Sequence, residues 1–519
     1  MKKILSVFIL VAVSLLSSSP VFCDDWTVGV GGKPSRYSMS FESGPTGPDL
    51  LWQGGISAVI AQQAVIEGDV VIMARIFNLT DVLHGTVIVA HDLYTGDTVW
   101  TADLPVDFPS TDWRNRVSAV REGKVYATRS GNTNASYLYA LDITDGSIVW
   151  KSDSLIDESS TEGVTFADNG DIVAGNFTNI MRIDATDGST VWKTQRSSPT
   201  SGGSEVAVFG YSIYGWEADA SGPKISVYDI NSGGKLYSSH GIGGGFVQQV
   251  GPFVGPDGTV YAPRTQNNSL TDSLVAFVDI DTALEVKWSV PLGYVPFASF
   301  GVGPDGSVYS YSQNSEVVRI EPNSGVVIDT SPQILLDFPP QPRMAIDTNG
   351  TVFVTNGGFS NGALYSFNPD LSLRWSESIT NVNVGGPAIG QGGVLIVCGI
   401  GTDVRAYQGG TRLVEDDPGT GKQDPLRVEI YPNPFISEVR IQISEVGSPS
   451  TGSGQVCVGI YDITGREVRK FSVPSSQFLV QSVTWDGKDR EGQDLPAGTY
   501  ILKAQFEHYS VKKKIVIIR

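Results

Sequence analysis

The sequence predicts an all-β chain: an eight-bladed β-propeller, with seven blades as the alternative, followed by a small immunoglobulin-like β-sandwich. Three observations carry this prediction. A Gly turn leading into a short apolar strand recurs between residues 60 and 410; a hairpin ending in an aromatic residue alternates with it; and the last ninety or so residues divide into about seven short β-rich segments. At 519 residues the chain exceeds the size at which one hydrophobic core keeps growing, so several domains or a repeat are required. Forty per cent apolar and 18% charged residues, with 59 Gly and 28 Pro, describe a folded, turn-rich chain without a collagen-like period.

The first signal appears eight times, 40 to 55 residues apart. It runs from Glu67-Gly68 before Val70, through Glu122-Gly123, Asn169-Gly170, the weaker Phe209-Gly210, Asp257-Gly258, Asp305-Gly306 and Asn349-Gly350, to Gly392-Gly393 before Val394. That spacing fits one four-stranded blade and is too long for a leucine-rich or hexapeptide coil. The second signal is clearest in Leu138-Tyr139-Ala140-Leu141-Asp142 followed by Thr144-Asp145-Gly146 and Trp150. Its aromatic positions are Trp100, Trp150, Trp192, Tyr237, Trp288 and Trp375, with a degraded copy between Val318 and Asp329. The Asp-Gly, Thr-Gly and Ser-Gly pairs supply the positive φ that tight hairpins need. The recurring Trp reads as a wedge between blades rather than as a catalytic or cofactor residue. Strand Asp49 to Trp52 is a spare terminal strand, and no Trp follows Tyr407; the N-terminal strand is therefore expected to complete the last blade, with Trp52 as its docking residue.

The Tyr-Ala-Leu-Asp and Asp-Gly-x-x-x-Trp pattern resembles the Trp-docking repeat of the pyrroloquinoline-quinone (quinoprotein) propeller superfamily, whose rings are typically eight-bladed, and covers residues 45–412. Enzymes of that superfamily imply a quinone in the ring mouth, a divalent cation held by carboxylate and amide oxygens, a catalytic Asp, and often a disulfide of adjacent cysteines. The sequence has no adjacent cysteine pair, and no motif places the other ligands. Fold alone assigns no activity.

Residues 413–425, rich in Asp, Gly and Pro, read as a linker. The tail, 426–519, carries Tyr431-Pro432-Asn433-Pro434-Phe435, then Tyr461-Asp462 with Gly465, then Trp485-Asp486-Gly487 through Gly498-Thr499-Tyr500. In this order these motifs resemble the C-terminal sorting domains of type IX secretion cargo and the related immunoglobulin-like domain of flagellar hook-cap proteins. The resemblance implies delivery across the outer membrane by secretion machinery, with removal of the tail or its exchange for a surface anchor.

Lys2 and Lys3, an apolar run from Ile4 to Leu16 and Ser17 to Pro20 have the order of a secretory signal, with cleavage expected after Cys23. Phe22 stands where a lipoprotein signal wants a small residue, which disfavours lipidation of Cys23. No other stretch is apolar for long enough to span a bilayer. A net charge of −19 disfavours nucleic acid and anionic lipid. Cys398 and Cys457 fall in different predicted domains, so no structural disulfide is expected.

His84, His91, His240 and His508 lack metal-ligand spacing; Gly241 to Gly245 lacks the Lys and Ser/Thr of a phosphate loop; Asp279 to Asp281 and Asp486 to Asp494 sit at expected hairpin turns. No catalytic or metal-ligating residue is assigned and no cofactor is expected. The sequence reading is an exported, non-catalytic binding or scaffold propeller at or beyond the cell surface, contacting a protein or glycan. A quinone- and calcium-dependent oxidoreductase and a propeller lipoprotein of outer-membrane assembly are the alternatives.

Overall fold

The structure is a computed structural model. It describes residues 25–517 apart from 82, 111, 130–134, 158–163, 199–203, 243–249, 265–272, 294–298, 335–341, 359–360, 383, 409–425, 432–437, 446–454, 462–466, 475–480, 491 and 507–508. The expected signal segment with Cys23, the linker 413–425, Gly243 to Gly245 and His508 lie outside the described residues, as do Pro432, Asn433, Pro434, Asp462 and Gly465 of the tail motif.

The first body is a β-propeller built from four-stranded antiparallel sheets, of which eight lie between residues 50 and 407. Sheets one to seven span 65–102, 116–157, 164–195, 207–238, 253–291, 301–330 and 344–379, each with its strands in chain order. Sheet eight takes Ala388–Ile389, Leu395–Cys398 and Val404–Tyr407 and is completed by Leu50–Gly54, with Trp52 paired to Ala406. The N-terminal strand thus closes the last sheet as expected. First strands pack against first strands of neighbouring sheets, and that of sheet one also meets that of sheet eight.

Burial falls outward along each sheet. The first strands Val164–Phe166 and Met344–Ile346 are buried throughout, whereas the fourth strands Thr190–Gln195 and Val327–Thr330 are largely exposed. The core is accordingly divided into layers between sheets rather than gathered at one centre, for example Val65, Ala90 and Trp100 of sheet one with Val125, Ala127 and Leu141 of sheet two. All eight turn glycines singled out in the sequence have positive φ, between 57° and 92°. They join first to second strands.

Neighbouring sheets are joined by one repeated contact. Five indoles of the fourth strands lie on the glycine of the next sheet's outer hairpin: Trp52 on Gly96, Trp100 on Gly146, Trp150 on Gly188, Trp192 on Gly233 and Trp288 on Gly325. A Cβ at any of these glycines would stand within 3.0 Å of the ring. The indole N–H then donates to a carbonyl of the same hairpin, from Trp52 to Leu93 at 2.8 Å, Trp100 to Ile143 at 2.6 Å, Trp150 to Ala185 at 3.0 Å, Trp192 to Ile230 at 3.0 Å and Trp288 to Pro322 at 2.8 Å. Ring, glycine and carbonyl form a single unit, in which stacking area and a partly buried hydrogen bond act together.

Departures from the unit come in matched pairs. Tyr237 stands at the aromatic position of sheet four, and the next hairpin has Asp281 at φ 62° where its neighbours have glycine; the phenol donates to the Asp279 carboxylate at 2.7 Å. In sheet six Asp329 replaces the aromatic residue and pairs with Arg319 at 3.0 Å. The next hairpin then holds Leu371 at φ 61°, its side chain buried in the layer, while Tyr309 donates to the Pro369 carbonyl at 2.9 Å. Trp375 faces sheet eight, whose outer strand arrives from the N-terminus without a hairpin, and its buried indole N–H has no acceptor among the described residues. It packs against Tyr407 instead, with ring centroids 5.8 Å apart.

The second body, from Leu426, pairs a three-stranded sheet (Leu426–Tyr431, Val439–Glu445, Gln481–Trp485) with a four-stranded one (Glu467–Pro474, Gln455–Tyr461, Gly498–Phe506, Tyr509–Ile517). The seven strands are those expected from the sequence. Trp485 and Tyr500 meet edge to face at 5.5 Å, and Tyr500 donates to the Pro496 carbonyl at 2.9 Å, the kind of backward bond that fixes a sandwich corner. Gly498 opens its strand opposite Ile517, and the Tyr461 ring lies across Gly459.

Two comparisons test the joint. Gly146→Ala should lower stability in urea unfolding by about 2–4 kcal/mol more than Gly68→Ala, where positive φ is present but no atom lies within 4 Å of a new Cβ. Trp150→Phe should cost about 1–2 kcal/mol more than Trp375→Phe, because only the former loses a hydrogen bond.

Candidate functional site

In a four-stranded meander, the turns joining strands one to two and three to four lie at one end, here the turn face. The loops joining strands two to three and successive sheets lie at the other, the loop face. The central channel runs between them.

The N-terminal segment fills that channel. In sheet order, Ile66 N–H donates to Trp26 O (2.9 Å), Val120 N–H to Thr27 O (2.8 Å), Thr165 Oγ1 to Pro34 O (3.0 Å) and Val208 N–H to Pro34 O (3.1 Å). Val254 N–H then donates to Ser35 O (2.8 Å), Val302 N–H to Tyr37 O (2.9 Å) and Ile346 N–H to Ser38 O (2.8 Å). One strap therefore visits the innermost strands of sheets one to seven before the chain leaves to complete sheet eight. It satisfies backbone groups that an inner strand edge would otherwise present to the channel. Nothing periodic announces it in the sequence, where the repeat begins only near residue 45. Its only readable marks are Gly31 and Gly32, both at positive φ, and the buried Trp26.

A cavity of about 20 Å³ remains between the strap and sheets four to six, lined by Val30, Arg36, Glu205, Phe253, Ser299 and Phe300, among others. This holds about one water molecule. Arg36, buried and at φ 63°, donates to the carbonyls of Val206 (2.8 Å), Val164 (3.2 Å) and Val30 (3.3 Å). Phe253 and Phe300 stack at 5.5 Å. The resemblance to quinoproteins implies a quinone and a divalent cation in the ring mouth, and the described residues around this cavity do not fit them. A fused-ring quinone needs a few hundred Å³, and a hard cation wants several oxygen ligands, whereas the lining supplies one carboxylate beside a guanidinium. Among the described residues no three His, Cys, Asp or Glu side chains are grouped to hold a metal.

Buried arginines tie the loop face together. Arg75 donates to Ile56, Gly399 and Gly401 carbonyls (2.7–3.0 Å), and Arg196 to those of Asn176, Trp216 and Ser204 (2.5–2.8 Å). Sequence reasoning missed both, since a single Arg gives no signal of burial. Glu217, a buried carboxylate on this face, accepts from Ser197 N–H (2.7 Å), Tyr228 Oη (2.6 Å), Ser226 Oγ (2.8 Å) and Lys235. Burial pushes its carboxyl up, but Lys235, Ser197, Tyr228 and Ser226 outweigh that and bring it down to about 2. A carboxylate with these acceptor sites filled is a structural anchor, with little capacity left to move a proton.

The recurrent hairpin aspartates also have structural work. Asp92, Asp142, Asp184 and Asp229 each accept backbone N–H groups two residues on (2.7–3.1 Å). His91 is buried, with Nδ1 3.0 Å from Gly96 O. Cys398 is buried and unpaired, and burial pushes its thiol up to about 11, which makes it a poor nucleophile. No described helix is long and apolar enough to cross a membrane.

Comparison with known proteins agrees with both bodies. Residues 84–331 match the family described as outer membrane protein assembly factor BamB, a quinoprotein-type repeat, and residues 444–508 match the FlgD Ig-like domain. No curated protein sequence matches the chain significantly. Among solved structures, the chain is similar to PorZ, an essential bacterial surface component of the type IX secretion system of Porphyromonas gingivalis. That match has 14% identity, covers 88% of this chain and 69% of PorZ, and has a TM-score of 0.39. It is also similar to the quinohemoprotein alcohol dehydrogenase ADHIIG from Pseudomonas putida HK5, with 13% identity, 92% and 82% coverage and a TM-score of 0.45. A third is the C-terminal WD40 domain of Sif2, with 12% identity, 70% and 98% coverage and a TM-score of 0.44.

Glu217 yields a pH prediction. Its folded pKa lies below the ordinary glutamate value of 4.5, so its contribution of about 3 kcal/mol is present above that pH and is lost as pH falls toward 2. Glu217→Gln should be destabilised by about that amount at pH 7, and the gap to wild type should narrow progressively below pH 4.5 in urea unfolding.

Proposed function

We propose that the chain is an exported, non-catalytic binding or scaffold module, with 1–23 as signal, 24–412 as propeller, 413–425 as linker and 426–519 as a sorting or anchoring domain. One observation carries this reading: the central channel of the ring is filled by the chain's own strap, bonded to the inner strands of seven sheets. A ring so filled offers its faces, rather than its centre, to other molecules. The match of 444–508 to the FlgD Ig-like domain, with the ordered motifs of the tail, supports a delivery role through secretion machinery. Partners are a protein or glycan at the cell surface or outside the cell.

The test is reconstitution. Purified full-length protein, incubated with pyrroloquinoline quinone and calcium, is expected to retain no quinone after gel filtration and to reduce no dye with a panel of alcohols and sugars. Stoichiometric quinone retention with substrate-dependent dye reduction would overturn the reading in favour of an oxidoreductase.

A further inference from the structure

The joint between sheets four and five departs from the docking rule in a way that alters the surface. Elsewhere the residue after the hairpin Asp is drawn inward, because its carbonyl receives the indole: Leu93 and Ile230 are buried, and Ile143 and Ala185 pack against the inter-sheet layers. At this joint Tyr237 bonds the Asp279 carboxylate, as does Tyr214 at 2.7 Å, and Ile280 is left outside, 45% exposed. Val278 beside it is 41% exposed, and Leu236 on the adjoining strand, at 54%, is exposed as Val99, Val149 and Val191 are at the same place in other fourth strands.

The inner turn of sheet four is also unlike its counterparts. Seven of the eight turn glycines are flanked by Glu, Asp, Asn, Gln, Lys, Ser, Thr or Gly; Gly210 is flanked by Phe209 and Tyr211. Phe209 lies against the Gly258 turn of sheet five, and the Tyr211 carbonyl accepts from Ile230 N–H at 3.0 Å, which ties the turn to the outer hairpin. Tyr211 is 75% exposed, the most exposed large apolar side chain among the described residues. Five apolar side chains thus face solvent at one joint, with the exposed Asp257 and Asp281 on the inner turn and outer hairpin of sheet five.

We propose that this patch docks a basic, amphipathic segment of a partner protein, with apolar anchors on Tyr211 and Ile280 and Lys or Arg side chains on these carboxylates. This rests on the binding-module reading and gives it a face. Contiguous exposed apolar surface on a folded protein marks a contact site. The carboxylates decide the partner's chemistry: they repel lipid phosphate and nucleic acid, and a second copy would bring the same negative face.

A short synthetic peptide of alternating Leu and Lys with one Phe, labelled for fluorescence polarisation, is the probe. Saturable binding to the full chain is expected, weakened at least about tenfold in Tyr211→Ser/Ile280→Ser and unchanged in Leu79→Ser, an exposed residue on the loop face. A Leu/Glu peptide should not bind, and the double variant should keep the wild-type unfolding midpoint. Equal binding by the double variant overturns the proposal, as does equal binding of a Lys/Ser peptide, which would mean charge alone. A wild-type dimer in sedimentation that dissociates on Tyr211→Ser assigns the patch to a second copy and also overturns it. Each failure removes this face, whereas only the quinone experiment can remove the binding-module reading.

Discussion

An aromatic ring laid on a glycine Cα, with its N–H on a carbonyl of the same hairpin, is the constraint from which the rest of the propeller follows. A four-stranded sheet cannot bury both faces alone, and its outer strand contributes little apolar area; the indole supplies that area at the rim where the sheets diverge. Because the ring occupies the space of a Cβ, the partner position must be glycine. Where the ring is lost, that requirement lapses, and Leu371 in the hairpin facing Asp329 shows the consequence. Trp375 shows the converse: its ring is kept, but the hairpin that would accept its proton gave way to ring closure by Leu50–Gly54.

The same closure explains the strap. A chain that must reach sheet eight from the N-terminus can cross the ring on the way, and the inner strand edges offer hydrogen bonds along the whole path. The channel becomes core, with Trp26 and Val28 packed in it as completely as any strand residue. On the proposed reading, the binding surface is then left to the two faces. Much of the acidity belongs to the turn face, where Asp side chains are retained because they accept backbone N–H groups in hairpins, so its negative potential accompanies turn chemistry.

The periodic part of this molecule was legible in the sequence. Turn glycines, hairpin aspartates and docking tryptophans recur at fixed offsets because each serves a local geometry, so composition and spacing alone led to four-stranded sheets, to Trp52 closing the last of them and to the seven tail strands. The candidate sites were much less legible. Arg36, Glu217 and Arg196 are single residues whose partners lie in other segments, and the strap has no repeat because each of its residues meets a different sheet.

What the sequence by itself determined is therefore the repeat and its closure, since hairpins and docking contacts depend on residues near one another in the chain or one repeat apart. Only the tertiary structure decided that the channel is filled and that one joint in the ring leaves apolar side chains outside. Both outcomes turn on which side chain reaches which acceptor across sheets. Tyr237 follows the aromatic pattern in sequence, yet its hydroxyl ends on Asp279 rather than on a hairpin carbonyl, and that difference of acceptor exposes Ile280.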